Sequence, residues 1–309
     1  MGDPAGIGPA ITAKAVADFR NKADFLIIGD RWVFDKVQSL KPITGSCKFI
    51  DLHNVGHSHF EPGKVKAEYG KASIGYLDKA LELLKNKQAE CLVTCPISKE
   101  AVNLAGYARF SGHTEYLARR TGTGHFAMML LNDKLRFILI TRHIPLKDVP
   151  SAVSSQEIYR TVILAHRSLK ELFSINNPRI AVCGLNPHAS DNGILGKEEG
   201  RVIIPALKLL KKKINGIDGP LPADVAVMKA SEGEYDCLIA MYHDQALIPL
   251  KISSPKSGVN LTLGLPFVRT SPLHGTAFDI AQKPKKASAD SLIEAIKLAI
   301  RCSLNPKKD

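Results

Sequence analysis

No stretch of this 309-residue chain approaches the roughly 18–20 consecutive apolar residues needed to span a bilayer. A membrane-spanning helix is therefore not expected. No charged-then-apolar leader precedes the first motif, so we expect a cytoplasmic rather than a secreted protein. Internal repeats and low-complexity linkers are missing too, and with them the case for a solenoid or a disordered spacer. Paired cysteine motifs are absent. The six cysteines (Cys47, Cys91, Cys95, Cys183, Cys237 and Cys302) are scattered, and Cys91-x-x-x-Cys95 has the wrong spacing for a zinc knuckle. Free thiols in a reducing compartment are the expectation. Acidic charge is also scarce: 30 Asp and Glu against 42 Lys and Arg leave a net charge of +12. The cations are nevertheless dispersed, apart from Lys211-Lys212-Lys213, Lys283-Pro284-Lys285-Lys286 and Lys307-Lys308. None of these runs interleaves with aromatics and no nucleic-acid module is present, so nucleic acid is not an expected partner. A basic pocket for a small phosphorylated acid accounts for part of the charge equally well.

What is present is ordinary for a soluble α/β protein: 45% hydrophobic and 23% charged residues, in a length that suits one large or two modest domains. Apolar strand-like runs alternate with amphipathic helical stretches, which predicts mostly parallel strands. Phe25–Gly29, Cys91–Thr94, Leu135–Thr141, Ile180–Cys183 and Cys237–Met241 read as buried strands. Ala72–Lys85, Ser155–Phe173, Arg201–Leu210 and Ala289–Cys302 read as helices. At the amino terminus, Gly2-Asp3-Pro4-Ala5-Gly6-Ile7-Gly8-Pro9 is a loop entering a helix with no strand ahead of it. Its backbone N–H groups could receive an anion, although a structural turn is an equal reading. It matches neither the Walker A spacing nor G-x-G-x-x-G.

Three histidines share one placement. His143, His188 and His243 each follow the carboxyl end of a predicted buried strand. In open parallel α/β sheets that is where ligands bind. Any one of them alone would read as a capping or loop residue. Three delivered to the same edge read as a metal site, and a His₃ site with an open position is reactive. Asp244 and Asp224 are candidates for orienting a histidine or a cation. Lys251, Asn260 and Arg269 follow His243 at intervals of eight or nine residues. Converging near a metal, they would hold a phosphorylated, carboxylated substrate; singly, each would pass for an ordinary surface group. His113 and Thr114, in Ser111-Gly112-His113-Thr114-Glu115, could donate to a phosphate or merely cap a helix. His274-Gly275-Thr276-Ala277-Phe278-Asp279 is a turn entering a helix, with a glycine that permits close approach of a flat ligand.

These motifs together resemble the PdxA family, the 4-hydroxythreonine-4-phosphate dehydrogenases of pyridoxal phosphate formation. The resemblance rests on Gly2–Pro9, Ser111–Glu115, Gly184-Leu185-Asn186-Pro187-His188-Ala189, Met241-Tyr242-His243-Asp244-Gln245 and Gly258–Pro266, and covers nearly the whole length. It implies the isocitrate/isopropylmalate dehydrogenase-like fold: two α/β/α domains flanking a cleft, residues 1–112 with 280–309 and residues 113–279. It implies that His143, His188 and His243 bind one divalent metal (Zn, Co, Mn or Mg). His113, Thr114, Lys251, Asn260 and Arg269 would then bind substrate. His274, Gly275 and Asp279 fall on the loop that receives NAD or NADP. A homodimer is implied, with the active site at the subunit interface and His243 supplied by the partner subunit. Ala10 stands where relatives carry an acidic residue, and Ser98 where they carry asparagine.

The implied reaction is metal-dependent oxidation of 4-phosphohydroxy-L-threonine by NAD(P), followed by decarboxylation to 3-amino-2-oxopropyl phosphate. D-threonate or D-erythronate 4-phosphate is the alternative substrate within the family. A His₃ zinc hydrolase and a non-catalytic phosphometabolite-binding protein are the readings from other classes.

Overall fold

A computed structural model describes residues 1–19, 23–37, 47–254 and 257–305. The basic run Lys307-Lys308 lies outside these residues. The chain divides into two compact units, residues 1–120 with 267–300 and residues 121–266 with 301–309. Among the described residues, no helix is long and apolar enough to cross a membrane.

In the first unit, β1 (Phe25–Gly29) pairs in parallel with β2 (Cys47–Asp51). Likewise β3 (Cys91–Val93) pairs in parallel with β10 (Val268–Pro272), setting Arg269 opposite Leu92. The helix expected to begin at Ala72 starts at Ala67. Gly70 allows a close approach within it: a Cβ there would lie 2.1 Å from the carbonyl oxygen of Ala101. Ser98 caps the helix Lys99–Leu104 by accepting from the N–H of Ala101 at 3.1 Å. Serine is a good N-cap, so this end of the helix is satisfied.

The amino-terminal loop is a turn, and its donors are spent inside the protein. Asp3 N–H reaches Pro96 O, Ala5 N–H reaches Asp3 Oδ1, and Gly6 N–H reaches Asp3 O. Ile7 N–H reaches Thr276 O at 3.0 Å. These four groups are therefore not presented to an anion. Helix Gly8–Ala17 follows, with Pro9 in its first turn.

In the second unit the strands are β4 (Ala127–Leu131), β5 (Arg136–Leu139), β6 (Ile180–Cys183), β7 (Ile217–Leu221), β8 (Cys237–Ala240) and β9 (Val259–Leu263). They lie in the order β9-β4-β5-β8-β6-β7. β5, β8, β6 and β7 run parallel, whereas β4 is antiparallel to both neighbours. The expectation of mostly parallel strands therefore holds for five of these six strands, which point the same way, with β4 the exception. The reason is local. Asn132 closes a tight turn from β4 into β5, its Oδ1 accepting from Lys134 and Leu135 N–H at 2.9 and 2.8 Å, and so short a connection can only reverse the chain.

Helix Ser155–Phe173 falls at its expected bounds. Ser154 caps it, Ser174 ends it in the left-handed region, and Ile158, Val162, Ala165 and Leu169 form its buried stripe. The stretch expected as helix Arg201–Leu210 is instead a π-turn, Glu199–Ile203, running into helix Ile204–Leu210. The helix expected over Ala289–Cys302 spans Asp290–Leu304.

The unit boundaries differ from those expected at residues 112/113 and 279/280. Residues 113–120 and 267–279 belong with the first unit. Tyr116 packs into the cluster of Ile74, Leu77, Val102 and Phe110, and β10 is hydrogen-bonded to β3.

Candidate active site

In the second unit β8 lies between β5 and β6, all three parallel, so their carboxyl ends open side by side. His143 follows β5, His243 opens the helix His243–Ser253 after β8, and His188 follows β6. The His143 and His243 rings face each other with centroids 5.8 Å apart, tilted by 47°. Nδ1 of His243 is 2.7 Å from Asp244 Oδ1, so Asp244 orients the ring as its position led us to expect. With Nδ1 engaged, Nε2 is the ring nitrogen left to coordinate.

His188 is held differently. It begins a run of five left-handed residues, His188 to Asn192, with φ between 46° and 72°. Among the described residues, no group of three or more His, Cys, Asp or Glu side chains stands close enough to hold a metal. One chain thus brings His143 and His243 together without His188, whereas the family resemblance implies that His243 reaches the other two from the partner subunit. The donor set is nonetheless the right kind, because two imidazoles, one braced by a carboxylate, suit zinc, cobalt or manganese better than magnesium. Asp224 lies in the first turn of helix Ala223–Ser231, after β7.

Lys251 projects, exposed, from the helix that His243 begins. Asn260, on β9, is 8% exposed, and its buried Oδ1 has no hydrogen-bond partner. An orphaned amide oxygen in a sheet interior is costly unless something fills the place of a donor.

In the first unit three expected substrate residues converge. Arg269 is the largest fully buried side chain, 2% exposed on β10. Its guanidinium donates to Thr94 Oγ1 at 2.6 Å and to Thr114 Oγ1 at 3.5 Å. Burial draws its pKa down to about 10, against the opposing pull of Glu115. It remains a cation at neutral pH. His113 has a buried Nε2 without a hydrogen-bond partner. Its pKa lies well below the usual histidine range, through burial first and then the Arg269 charge. A neutral imidazole, a buried guanidinium and threonine hydroxyls can together receive one phosphate or carboxylate.

The His274–Asp279 segment is a loop ending in the short 3-10 turn Phe278–Ile280 rather than a longer helix. Thr276 O accepts from Ile7, and Gly6 approaches so closely that a Cβ there would lie 3.0 Å from that same oxygen. The amino-terminal loop therefore supports this one. His274 Nδ1 lies 3.0 Å from Gly275 O, while its Nε2 is buried without a partner. Gly275 is exposed and faces open space; Asp279 is exposed.

Sequence reasoning missed Thr94, Glu199, Gln245 and Asp3. Asp3 is fully buried and its Oδ2 has no partner. Burial pushes its pKa up to about 6, outweighing the N–H bonds it receives. In the same unit, buried Asp30 accepts from Val55 N–H at 3.1 Å and from the Tyr76 hydroxyl. The only signal for Asp3 was its place in the glycine-rich loop.

Comparison with known proteins identifies the family and the fold. The family model described as pyridoxal phosphate biosynthetic protein PdxA matches residues 11–299. A 4-hydroxythreonine-4-phosphate dehydrogenase of Sulfurihydrogenibium sp. (strain YO3AOP1) is 42% identical over 312 residues, 97% of this chain and 96% of the relative. A D-threonate 4-phosphate dehydrogenase of Salmonella typhimurium is 39% identical over 320 residues, 97% of each chain. The crystal structure of 4-hydroxythreonine-4-phosphate dehydrogenase from Klebsiella pneumoniae superposes with a TM-score of 0.87 at 36% identity, covering 98% of this chain and 96% of that one. Isocitrate dehydrogenase from Methylococcus capsulatus shares the fold, with a TM-score of 0.50 at 13% identity over 99% of this chain and 84% of its own.

Proposed function

The chain belongs to the PdxA family of oxidoreductases acting on CH–OH groups, and from that premise we propose that it oxidises 4-phosphohydroxy-L-threonine with NAD(P) in a metal-dependent reaction. The observation that carries this reading is the His143–His243 pair at the ends of two adjacent parallel strands, with the His188 turn on the third.

His143, His243 and His188 would hold the ion. A divalent ion held there would supply Lewis-acid polarisation of the substrate hydroxyl, and a nicotinamide held by the chain would supply the hydride acceptor. The chain's own residues supply binding and orientation. Asp244 fixes the coordinating nitrogen of His243. Arg269, tethered by Thr94, and neutral His113 receive an anionic group of the substrate. Asn260 offers a buried acceptor and Lys251 a cation. The loop at His274, Gly275 and Asp279 would receive the nucleotide, Gly275 leaving room for a flat ring. Oxidation removes a hydride and the hydroxyl proton and leaves 2-amino-3-oxo-4-phosphooxybutanoate. This β-keto acid then loses carbon dioxide to give 3-amino-2-oxopropyl phosphate.

A homodimer is part of the reading. The segments that bear the three histidines also expose Leu146 (68%), Ile194 (79%), Ile248 (56%) and Ile252 (77%). Such apolar groups beside an incomplete ligand set fit a second subunit that covers them and completes the site.

Formation of NAD(P)H from 4-phosphohydroxy-L-threonine, abolished by a chelator and restored by a divalent metal, tests the proposal. D-threonate 4-phosphate run in parallel decides the substrate, since relatives with both names match at similar identity. Turnover of neither would sink the reading.

A further inference from the structure

The three turns that carry the histidines are joined by one seam of hydrogen bonds, and Gln245 is its middle link. Thr141, two residues before His143, gives both its N–H (3.1 Å) and its hydroxyl (2.7 Å) to the carbonyl oxygen of Met241. Met241 stands two residues before His243. Its own N–H donates to Gln245 Oε1 at 2.8 Å. Gln245 Nε2 then donates to the carbonyl oxygen of Gly184 at 2.8 Å, where the chain leaves β6 toward His188. Beyond that point Glu199 takes over. Its Oε1 accepts from the N–H groups of Leu185 (2.8 Å) and Asn186 (2.7 Å), and its Oε2 from Asn186 Nδ2 (2.9 Å). Glu199 is fully buried, at the π-turn that interrupts the expected helix.

The chemistry at Gln245 is demanding. One end faces a backbone N–H and needs an acceptor; the other faces a backbone carbonyl and needs a donor. A side-chain amide carries both at this reach. The partners also fix which end is oxygen. Glutamate would set a carboxylate against Gly184 O, methionine would satisfy neither group, and asparagine is one methylene too short to span both.

We propose that Gln245 is a positioning residue that fixes the spacing between the His243 and His188 turns, with Glu199 holding the second turn in shape. Gln245 acts through the histidines and touches no substrate. This rests on the reading of His143, His188 and His243 as metal ligands.

The test uses Co²⁺ alone, added to metal-free full-length protein and followed by its visible absorption spectrum. The variants are Gln245→Glu, Gln245→Asn, Glu199→Gln and His143→Ala, with Val162→Ala as a core substitution in the same unit but off the seam. The Gln245 variants should bind Co²⁺ about 10–100-fold more weakly than the parent and with an altered spectrum. Glu199→Gln should behave likewise, because its new amide meets that of Asn186 donor to donor. Val162→Ala should lower Tm and leave the spectrum unchanged. If His143→Ala abolishes Co²⁺ binding while both Gln245 variants match the parent in affinity and spectrum, the positioning role is wrong and the metal reading stands. If His143→Ala binds Co²⁺ like the parent, the metal reading itself fails. Should Gln245→Glu not fold, Gln245→Asn carries the test, since it keeps a neutral amide. A spectral change in Val162→Ala equal to that in the Gln245 variants would reduce the seam to general stability and overturn the proposal.

Discussion

Arg269 meets Thr94 with Nη2 2.6 Å from Oγ1, inside the first unit and 175 residues away in sequence. The contact places a guanidinium where burial opposes its charge strongly enough to draw its pKa down to about 10. A cation kept in such a place costs stability; Glu115 offsets part of that cost, and an anionic group of the substrate would offset more. Arg269→Met should therefore leave Tm equal to or above that of the parent, while abolishing the Tm increase that a phosphorylated substrate produces. Arg269→Lys keeps the charge but loses the planar fork, and should lower kcat/KM on the order of 100-fold. Calorimetry with and without ligand reads the Tm values, and initial rates read kcat/KM. A large fall in Tm for Arg269→Met would make this arginine a structural group instead.

Asp3 predicts a pH dependence of stability. Its carboxyl titrates at about 6 in the folded chain against an ordinary 3.8. Between those values the folded state holds a proton that the unfolded chain has lost. Stability therefore falls as pH rises through this window and stays lower above it. The gap corresponds to about 3 kcal/mol. Asp3→Asn removes the penalty, so it should unfold at a higher temperature than the parent near pH 8 and at a similar one near pH 4. Equal Tm values for the two proteins near pH 8 would contradict the buried-carboxyl account.

Five of the ten strands among the described residues (β1, β3, β5, β6 and β8) and the longest helices were legible because their signals are local. Ile180–Cys183 is an unbroken apolar run, and Ser155–Phe173 carries its cap, its buried stripe and its stop. The placement of His143, His188 and His243 was legible for the same reason: each follows its own strand within a few residues. What stayed hidden depends on distant partners. The close approach at Gly70 shows only once Ala101 is seen against it. Pro249 likewise conceals the helix His243–Ser253 that carries Lys251. Thr94 is an unremarkable residue at a strand end until β10 brings Arg269 beside it. Gln245 and Gly184, 61 residues apart, are linked only by the neighbouring of β8 and β6. The amino-terminal loop misled because a glycine-rich helix start advertises free donors, and here Asp3, Pro96 and Thr276 had already taken them.

The exposed apolar groups beside the histidines predict concentration-dependent assembly. Ile248 and Ile252 lie four residues apart on one helix, 56% and 77% exposed. Replacing both with aspartate would put charges on one face of that helix at little cost to an isolated subunit. The variant should run as a monomer by light scattering, with the circular dichroism of the parent, and should lose bound metal and activity together. A monomer that keeps both would place the complete site within one chain.

Asp244 provides the last prediction, because its contact tests the metal centre without removing a ligand. The pair it forms with His243 is substantially exposed, 41% and 66% by side chain, so its electrostatic contribution to folding is small. Its effect should instead fall on the orientation and basicity of the imidazole, as a carboxylate behind a coordinating histidine does. Asp244→Asn keeps a hydrogen-bonding group but not the charge. Metal affinity should fall about 10–100-fold, with Tm of the metal-free protein unchanged and activity restored by excess metal. Asp244→Ala should lose more, since nothing then holds Nδ1. Equilibrium dialysis against zinc measures the first effect, and the metal concentration at half-maximal turnover measures the second. If both variants bind zinc as the parent does, His243 is not oriented for coordination by Asp244, and the 2.7 Å contact is only a local surface pair.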